Sequence, residues 1–221
     1  MKIIATFSII ILTSLTLISC HKHALRGGGS TGSETRELAS FTNVEANGST
    51  DIEIYPSTSN RVVITGYENL IPAYETDVRG NTLHLEFKRE YYNVMNNNIK
   101  ITLYTTDMNA VSVNGSGKVY IYPHLAANTL DVDVNGSGDI YVQDNSFETF
   151  RCTINGSGSI NAKDAVCDKV YADISGSGDI DVTVNELLDA KISGSGSIDY
   201  WGNPEVVNTD ISGSGKVRKN N

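Results

Sequence analysis

Apolar and polar residues alternate in short runs along most of the chain. Runs such as Val132-Asp133-Val134 and Ile140-Tyr141-Val142 lie on the two sides of a Gly-Ser-Gly sequence. A period of two over a short run is typical of a strand with one buried face. No segment after residue 20 has the period of an amphipathic helix. The pattern therefore predicts an all-β protein.

The same short block recurs at nearly constant spacing. Gly-Ser-Gly occurs six times, and its first glycine recurs at intervals of 21, 20, 20, 18 and 19 residues. Two strands per turn of about 20 residues, stacked by translation, predict a parallel β-solenoid. Glycine is expected at each corner, because a bend there needs positive φ or the space that a Cβ would fill. The predicted corner glycines are Gly115, Gly117, Gly136, Gly138, Gly156, Gly158, Gly176, Gly178, Gly194, Gly196, Gly213 and Gly215.

Alignment of the copies predicts two inward rows of β-branched residues and one polar row. The first inward row is Val113, Val134, Ile154, Ile174, Ile192 and Ile211. The second is Val119, Ile140, Ile160, Ile180, Ile198 and Val217. The residue before each first glycine is asparagine in three copies and serine in three, and asparagines in such a row can hydrogen-bond from coil to coil. A weaker copy begins at Ala46.

The first residues have the features of a bacterial lipoprotein signal. Residues 3–17 form an apolar stretch of 15 residues, shorter than the ~20 residues of a membrane-spanning helix. The ending Leu17-Ile18-Ser19-Cys20 resembles a lipobox, so we expect residues 1–19 to be removed and Cys20 to be lipidated. Two or more acyl chains give stable membrane anchoring. A plain secretory signal is the alternative.

The chain after Cys20 divides into a linker and one domain. Residues 20–36 are polar and glycine-rich, which predicts a flexible tether. A single solenoid domain is expected over residues 37–218, with irregular first coils over 37–110 and regular repeats over 111–218. A separate N-terminal β-domain is the alternative for the irregular part.

Charge limits the partners and the location. The formal net charge is −9, and an acidic chain disfavours nucleic acid and anionic lipid surfaces. Some lipoproteins reach the cell surface through an acidic tag directly after the lipidated cysteine, but no acidic residue follows Cys20 before Glu34. We therefore expect a lipid-anchored protein of the cell envelope, at the outer membrane and facing the periplasm, with surface exposure left open.

Two further cysteines lie in the predicted domain. Cys152 falls in the inward register beside Ala172. Counting from the corners places Cys167 beside Phe147 and Leu187 on the opposite side of the coil. A disulfide can persist in an exported protein. Two buried free thiols that fill small core positions are the other arrangement that the pattern allows.

Three features together resemble one bacterial family. They are the lipobox, the segments "ENLIPAYETDVRGNTLHLEF" (68–87) and "IKITLYTTDMNAVSVNGSG" (99–117), and the later Gly-Ser-Gly copies. The family is described as putative auto-transporter adhesin, head GIN domain, and the resemblance covers about residues 38–218. It implies a right-handed β-helix on an exported, often lipid-anchored protein. It brings no catalytic residues.

Outward aromatic side chains are the first candidates for a ligand face. Tyr120 and Tyr141 fall in one outward row, and Tyr122 and Trp201 in the next. Exposed rings on a rigid sheet can stack on sugars or on a protein partner, although tyrosine is also simply a good strand residue. We therefore expect a non-enzymatic surface for adhesion, ligand binding or an architectural role, with a polysaccharide or an envelope protein as partner and no cofactor.

Two other functions are left open. Asp181 and Asp199 are neighbours in an outward row, as the paired carboxylates of a polysaccharide lyase or glycosidase would be. The segment "GSGDIDV" is similar to the repeats of calcium-binding β-rolls, but the acidic residues after the corners do not follow one another on adjacent coils. A serine hydrolase is disfavoured because the Gly-Ser-Gly copies do not have the Gly-x-Ser-x-Gly spacing of a nucleophile elbow.

Overall fold

The computed structural model describes residues 23–125 and 127–221. Within these ranges the chain forms 19 strands, one short 3-10 helix at Ile71–Ala73 and no α-helix. The prediction of an all-β protein is confirmed.

The strands follow one another with short connections. The first nine are β1 (His23–Arg26), β2 (Thr31–Glu37), β3 (Asn43–Gly48), β4 (Asp51–Pro56), β5 (Arg61–Tyr67), β6 (Tyr74–Arg79), β7 (Thr82–Phe87), β8 (Tyr91–Met95) and β9 (Lys100–Thr105). The next five are β10 (Ala110–Gly115), β11 (Lys118–Ile121), β12 (Thr129–Gly136), β13 (Asp139–Val142) and β14 (Ser146–Gly156). The last five are β15 (Ser159–Gly176), β16 (Asp179–Gly194), β17 (Ser197–Trp201), β18 (Val206–Gly213) and β19 (Lys216–Lys219).

Two parallel sheets form the main faces of a β-solenoid. The first sheet has the order β7-β3-β10-β12-β14-β15-β16-β18. The second sheet has the order β9-β4-β11-β13-β15-β16-β17-β19. Strands β15 and β16 bend around the coil, so each contributes its first residues to the second sheet and its last residues to the first. The chain makes five turns between Gly115 and Gly213, and the predicted solenoid is confirmed.

The predicted inward rows stack in register. In the first row Val113 pairs with Val134, and Val134 pairs with Ile154; in the second row Val119 pairs with Ile140. These side chains are almost fully buried, and they belong to one core cluster that extends from Phe41 to Ile198. A β-branched side chain repeated at the strand spacing of about 4.8 Å fills the interior evenly from coil to coil. The irregular part and the regular part therefore share one core.

Antiparallel strands make the first part irregular. The coil formed by β3 and β4 lies directly beside β10 and β11, and its Asn47 contacts Asn114, which is 67 residues further along the chain. The intervening chain adds β7 and β9 on the other side of that coil. It then pairs β6 with β7 and β5 with β9, both antiparallel. These strands cover the hydrogen-bonding edges of the first coil.

The predicted tether over 20–36 is wrong for the residues that the structure describes. Strand β1 pairs with β8, and β2 pairs antiparallel with β5 from Thr31 to Glu37. The Arg36 guanidinium also donates to the carbonyl oxygens of Tyr74 at 2.7 Å and of Ile71 at 3.1 Å. This segment is held by backbone pairing rather than by a buried apolar face. Its polar composition therefore gave no indication that it forms strands. The predicted signal over 1–19 and Cys20 lie outside the described residues.

Candidate ligand-binding face

The Gly-Ser-Gly sequences form the corners between the two sheets. Gly156 has φ +142°, and a Cβ there would overlap the carbonyl oxygen of Gly136 in the coil before. That oxygen accepts a hydrogen bond from the N–H of Ser157 at 2.8 Å. The same close approach to the previous coil occurs at the other corner glycines: Gly115, Gly117, Gly136, Gly138, Gly158, Gly176, Gly178, Gly194, Gly196, Gly213 and Gly215. The corner is thus a backbone device, and its serine side chain is exposed at Ser157.

The four aromatic residues predicted as a ligand face lie on the second sheet. The rings of Tyr120 and Tyr141 stack with centroids 4.9 Å apart and planes 9° apart. Tyr122 stacks instead on Tyr55, with centroids 4.2 Å apart. Trp201 lies several coils away from these tyrosines, and it pairs with Thr183 on the adjacent strand. The Lys163 Nζ lies 4.3 Å from the centroid of the Trp201 ring. The structure therefore brings three of the four together and leaves Trp201 apart.

Two tyrosines of this face were missed from the sequence. Tyr55 and Tyr104 continue the row of Tyr122, with the Tyr55 and Tyr104 ring centroids 5.8 Å apart. The Arg61 guanidinium covers the end of the row, 3.9 Å from the Tyr104 centroid. Alignment of "NGSTDIEIY" with "NGSGKVYIY" would have placed Tyr55 beside Tyr122. Tyr104 had no such signal, because β9 follows no corner sequence.

A partly open polar cavity lies beside the tyrosine rows. It has a volume of about 290 Å³, and it is lined by Asp51, Glu53, Thr65, Lys100, Ile101, Thr102 and Tyr120. Tyr120 thus lines the cavity and also stacks on Tyr141. Six of the lining residues lie on the parallel strands β4, β9 and β11. The seventh, Thr65, lies on β5, which pairs antiparallel with β9.

Polar groups in the cavity are held by their neighbours. Asp51 accepts a hydrogen bond from the Lys118 N–H at 3.0 Å, and Glu53 accepts one from the Tyr55 hydroxyl at 3.2 Å. The neighbouring Tyr122 hydroxyl, together with partial burial and the charge of Glu53, raises the pKa of Tyr55, so Tyr55 remains a donor. With two carboxylates and one ammonium group, the cavity has a formal charge of −1. It therefore offers both acceptors and donors and disfavours anionic ligands.

A wider hollow on the molecule is less suitable for a ligand. It has a volume of about 650 Å³ and is lined by Asp107, Asn109, Ala127, Asn128, Thr129 and Asp131. It is a shallow depression without an aromatic side chain. A small ligand there would keep most of its surface in water, whereas ligand sites usually bury most of their ligand.

The predicted carboxylate pair is tied into a salt bridge. Asp181 and Asp199 are cross-strand neighbours. Arg218 donates to both oxygens of Asp199, at 2.9 Å and 2.6 Å, and hydrogen bonds from Arg218 and Asn220 hold the pKa of Asp199 below its usual range. Partial burial and the charge of Asp199 raise the pKa of Asp181. Because Arg218 engages both Asp199 oxygens, Asp199 is not a free nucleophile of the kind that retaining glycosidases use.

Acidic residues after the corners bond to the coils next to them. Asp139 accepts from the Lys118 Nζ at 2.9 Å and from the Ser159 hydroxyl at 2.7 Å. Asp179 likewise accepts from the Ser197 hydroxyl. Serine or lysine thus separates the acids along the row. Over residues 23–125 and 127–221, no group of three or more histidine, cysteine or acidic side chains is placed to hold a metal ion.

The two cysteines of the domain are buried and free. Cys152 pairs with Ala172, and Cys167 pairs with Phe147 as expected, but its other neighbour is Val184 rather than Leu187. Burial raises the pKa of Cys167 to about 12 and also raises the pKa of Cys152. Both thiols are therefore unreactive while the protein is folded.

No helix in the described part of the chain has the length and apolar character needed to cross a membrane.

Solved structures of similar shape include putative adhesins and a putative lipid binding protein. A putative adhesin from Bacteroides fragilis NCTC 9343 is 24% identical, with a TM-score of 0.72 over 89% of this chain and 100% of its own. A putative lipid binding protein from Parabacteroides distasonis ATCC 8503 is 24% identical, with a TM-score of 0.62 over 90% of this chain and 100% of its own. A putative adhesin from Parabacteroides merdae ATCC 43184 is 20% identical, with a TM-score of 0.64 over 90% and 99%. At this identity the likeness establishes the fold.

The family follows from the sequence itself. The family model described as putative auto-transporter adhesin, head GIN domain, matches residues 40–204. The chain belongs to this family, as the resemblance predicted. No curated protein matches the chain.

Proposed function

We propose that this protein is a non-enzymatic binding module of the bacterial cell envelope, and that it holds a saccharide in the cavity beside Tyr120. The observation that carries the proposal is the position of Tyr120. Tyr120 stacks on Tyr141 and also lines a partly open polar cavity. A preformed cavity with an apolar wall and a few converging polar groups is the usual form of a small-molecule site.

The chemistry of the cavity suits a neutral sugar. The ring face of Tyr120 can contact the C–H groups of a sugar ring, and the carboxylates of Asp51 and Glu53 can accept hydrogens from its hydroxyl groups. Lys100 can donate to an oxygen. A volume of about 290 Å³ lies at the lower end of the range for ligand sites, which favours one terminal sugar unit over a long chain.

Anchoring through Cys20 would set this module close to a membrane. The described fold begins at His23, so only residues 20–22 precede it after the lipobox. Three residues can reach at most about 10 Å, at ~3.3–3.6 Å per extended residue. Lipidated Cys20 would therefore hold the N-terminal end of the solenoid next to the bilayer. We infer a lipid-anchored envelope protein, with the outer membrane as its site and the periplasmic side as the first expectation.

The test is a binding measurement on residues 23–221, which contain the whole described fold. Glycan arrays and cell-wall polysaccharides are the probes, with and without calcium, and each ligand that is retained is then titrated by calorimetry. We expect retention without turnover, and at least tenfold weaker binding by Tyr120→Ala and by Glu53→Gln. Tyr171→Ala is the matched control, because Tyr171 is a partly exposed tyrosine of the other sheet.

Three results would contradict the proposal. If Tyr120→Ala leaves binding unchanged, the ligand site lies outside this cavity. Cleaved products that Asp181→Asn abolishes would make the protein a polysaccharide-active enzyme. Retention that appears only with calcium would favour a calcium-dependent module.

A further inference from the structure

The edge strands at the two ends of the solenoid differ in how they are paired. At the N-terminal end, β5 and β6 pair with the strands of the first coil, and β2 pairs with β5. At the other end, β18 pairs only with β16, and β19 only with β17, among the described strands. Within the part of the chain that the structure describes, the other edge of both strands therefore offers unpaired N–H and C=O groups, which readily pair with another strand.

The last coil also exposes its member of the first inward row, which is buried in the coils before it. Ile211 is 42% exposed, whereas its row neighbour Ile192 is 1% exposed. Val206 and Val207 on the same strand are 46% and 41% exposed. An apolar row beside unpaired backbone groups is a surface ready to receive one more layer of strands.

We propose that a second copy of this chain covers this end, tail to tail, about a two-fold axis that passes through the last corner at Ser214. The sequence around that corner carries the argument. The segment Asp210-Ile211-Ser212-Gly213-Ser214-Gly215-Lys216-Val217-Arg218 is complementary to itself when it is read in the opposite direction. Strand β18 of one copy then lies antiparallel to β19 of the other, and the reverse pair forms at the same time, as a two-fold axis requires.

The proposed register satisfies both faces of the sheet. Ile211 lies opposite Val217 of the second copy, and both belong to inward rows. Asp210 lies opposite Arg218, and both are outward. An antiparallel pair with apolar residues opposed inside and opposite charges outside is favourable at each position. Since Arg218 already binds Asp199, the new carboxylate would join an existing charged cluster.

The interface is small, which sets its strength. Residues 206–221 supply 16 residues per copy, fewer than the about 20–30 per partner of a standard stable interface. The dimer is therefore expected to be concentration-dependent. Its geometry places the N-terminal ends of the two copies at opposite extremes. Combined with the proposed lipid on Cys20, it would join two molecules that are anchored on facing surfaces.

The first experiment measures mass against concentration. Sedimentation equilibrium of residues 23–221 is expected to show a monomer–dimer equilibrium, and Ile211→Arg to weaken it at least tenfold. Because Ile211 is exposed in the monomer, this change leaves the fold intact. Val166→Arg is the control, since Val166 is also 42% exposed but lies on a strand that is paired on both sides. A monomer at all concentrations, or equal effects of both variants, would overturn the proposal.

A cross-link fixes the register. The two-fold axis brings Ser214 next to Ser214 of the second copy, so Ser214→Cys should form an intermolecular disulfide under mild oxidation. Ser195→Cys, at the corner of the previous coil, should not. The native thiols of Cys152 and Cys167 are buried and do not interfere. Association without selective cross-linking at Ser214 would show head-to-tail stacking and would contradict the tail-to-tail arrangement.

Discussion

The regular coils and the irregular N-terminal part use the same core for different purposes. From Gly115 onward, each coil repeats the corner and the inward rows of the coil before, with parallel strands in register. In the irregular part, β5 pairs antiparallel with β9, and a partly open cavity beside Tyr120 is lined by β4, β9, β11 and Thr65 of β5. The comparison teaches that repetition supplies rigidity, whereas the candidate site arises where the repetition is interrupted.

The largest expected effect tests whether the two parts unfold together. Ile154→Asp places a charge in the regular core and Ile101→Asp places one in the irregular core, where both isoleucines are almost fully buried. Each change should cost more than about 4 kcal/mol, because a buried unpaired charge is among the most destabilising substitutions. Circular dichroism and hydrogen exchange should show loss of structure in both parts with either variant.

The control for this comparison is Ser157→Ala, since Ser157 is exposed at a corner. It should change the free energy of unfolding by less than about 0.5 kcal/mol. Normal exchange protection of the regular coils in Ile101→Asp would mean that the two parts are independent domains.

The second prediction compares a corner glycine with a hairpin glycine. Gly156→Ala brings a Cβ against the backbone of Gly136, whereas Gly80→Ala, at φ +63°, meets nothing within 4 Å. We expect losses of about 3 kcal/mol or more at Gly156 and about 1 kcal/mol at Gly80, the latter from left-handed backbone strain alone. Urea denaturation measures both. Equal losses would show that the corner tolerates a side chain.

The third prediction concerns the polar row before the corners. Its asparagines are hydrogen-bonded from coil to coil: Asn155 donates to Asn135, Asn135 to Asn114, and Asn114 to Asn47, each at 3.0 Å. Asn114→Ala should cost about 1 kcal/mol, because it removes the amide that joins the irregular and regular parts. Ser193→Ala, in the serine half of the row, should have almost no effect. Denaturation midpoints that fall equally in both variants would rule out a special role for the amide row.

The smallest expected effect is a pH dependence in the last two coils. The folded-state pKa of Asp199 is lowered, so its contribution to stability is present above its unfolded-state pKa and is lost as the pH falls through the folded-state value. The raised pKa of Asp181 acts in the opposite direction, because protonation removes a charge that is partly buried and that Asp199 repels. Stability should therefore fall only slightly on acidification below about pH 4.

Trp201, the single tryptophan, is a reporter close to this pair. Its fluorescence in denaturation series at several pH values measures the effect. Arg218→Gln should remove most of the acid-dependent loss contributed by Asp199. An unchanged pH profile in that variant would mean that the Arg218 salt bridge does not stabilise the last coils.

Sequence reasoning succeeded where copies could be aligned. The corner sequences placed Val113, Val134 and Ile154 in one row, and the structure has them in that row. Counting from the corners failed in the middle of β15, where Cys167 pairs with Val184. The coil between Gly176 and Gly194 is shorter than the coils before it. The difference in length is accommodated by register shifts between β15 and β16.

The site was harder to predict than the fold. Tyr120 and Tyr141 were found because they follow corners, whereas Tyr104 lies on a strand without one. The cavity combines residues of β4, β9 and β11 with Thr65 of β5, and no local pattern reports that these strands will pair. Strand β2 was missed for a related reason. It is held by backbone pairing with β5 at the edge of the sheet, and its polar sequence has no hydrophobic period that would indicate a strand.

The constant corner has an evolutionary consequence. Each corner binds the corner of the next coil through the same backbone hydrogen bonds. For example, the Ser137 N–H donates to the carbonyl oxygen of Gly115, and the Ser157 N–H donates to that of Gly136. Duplication or loss of one repeat in the gene therefore adds or removes a whole coil without altering either neighbour. Every added coil moves the distal tip about 4.8 Å further from the base. The reach of such a protein can be adjusted in steps while the cavity near its base keeps the same shape.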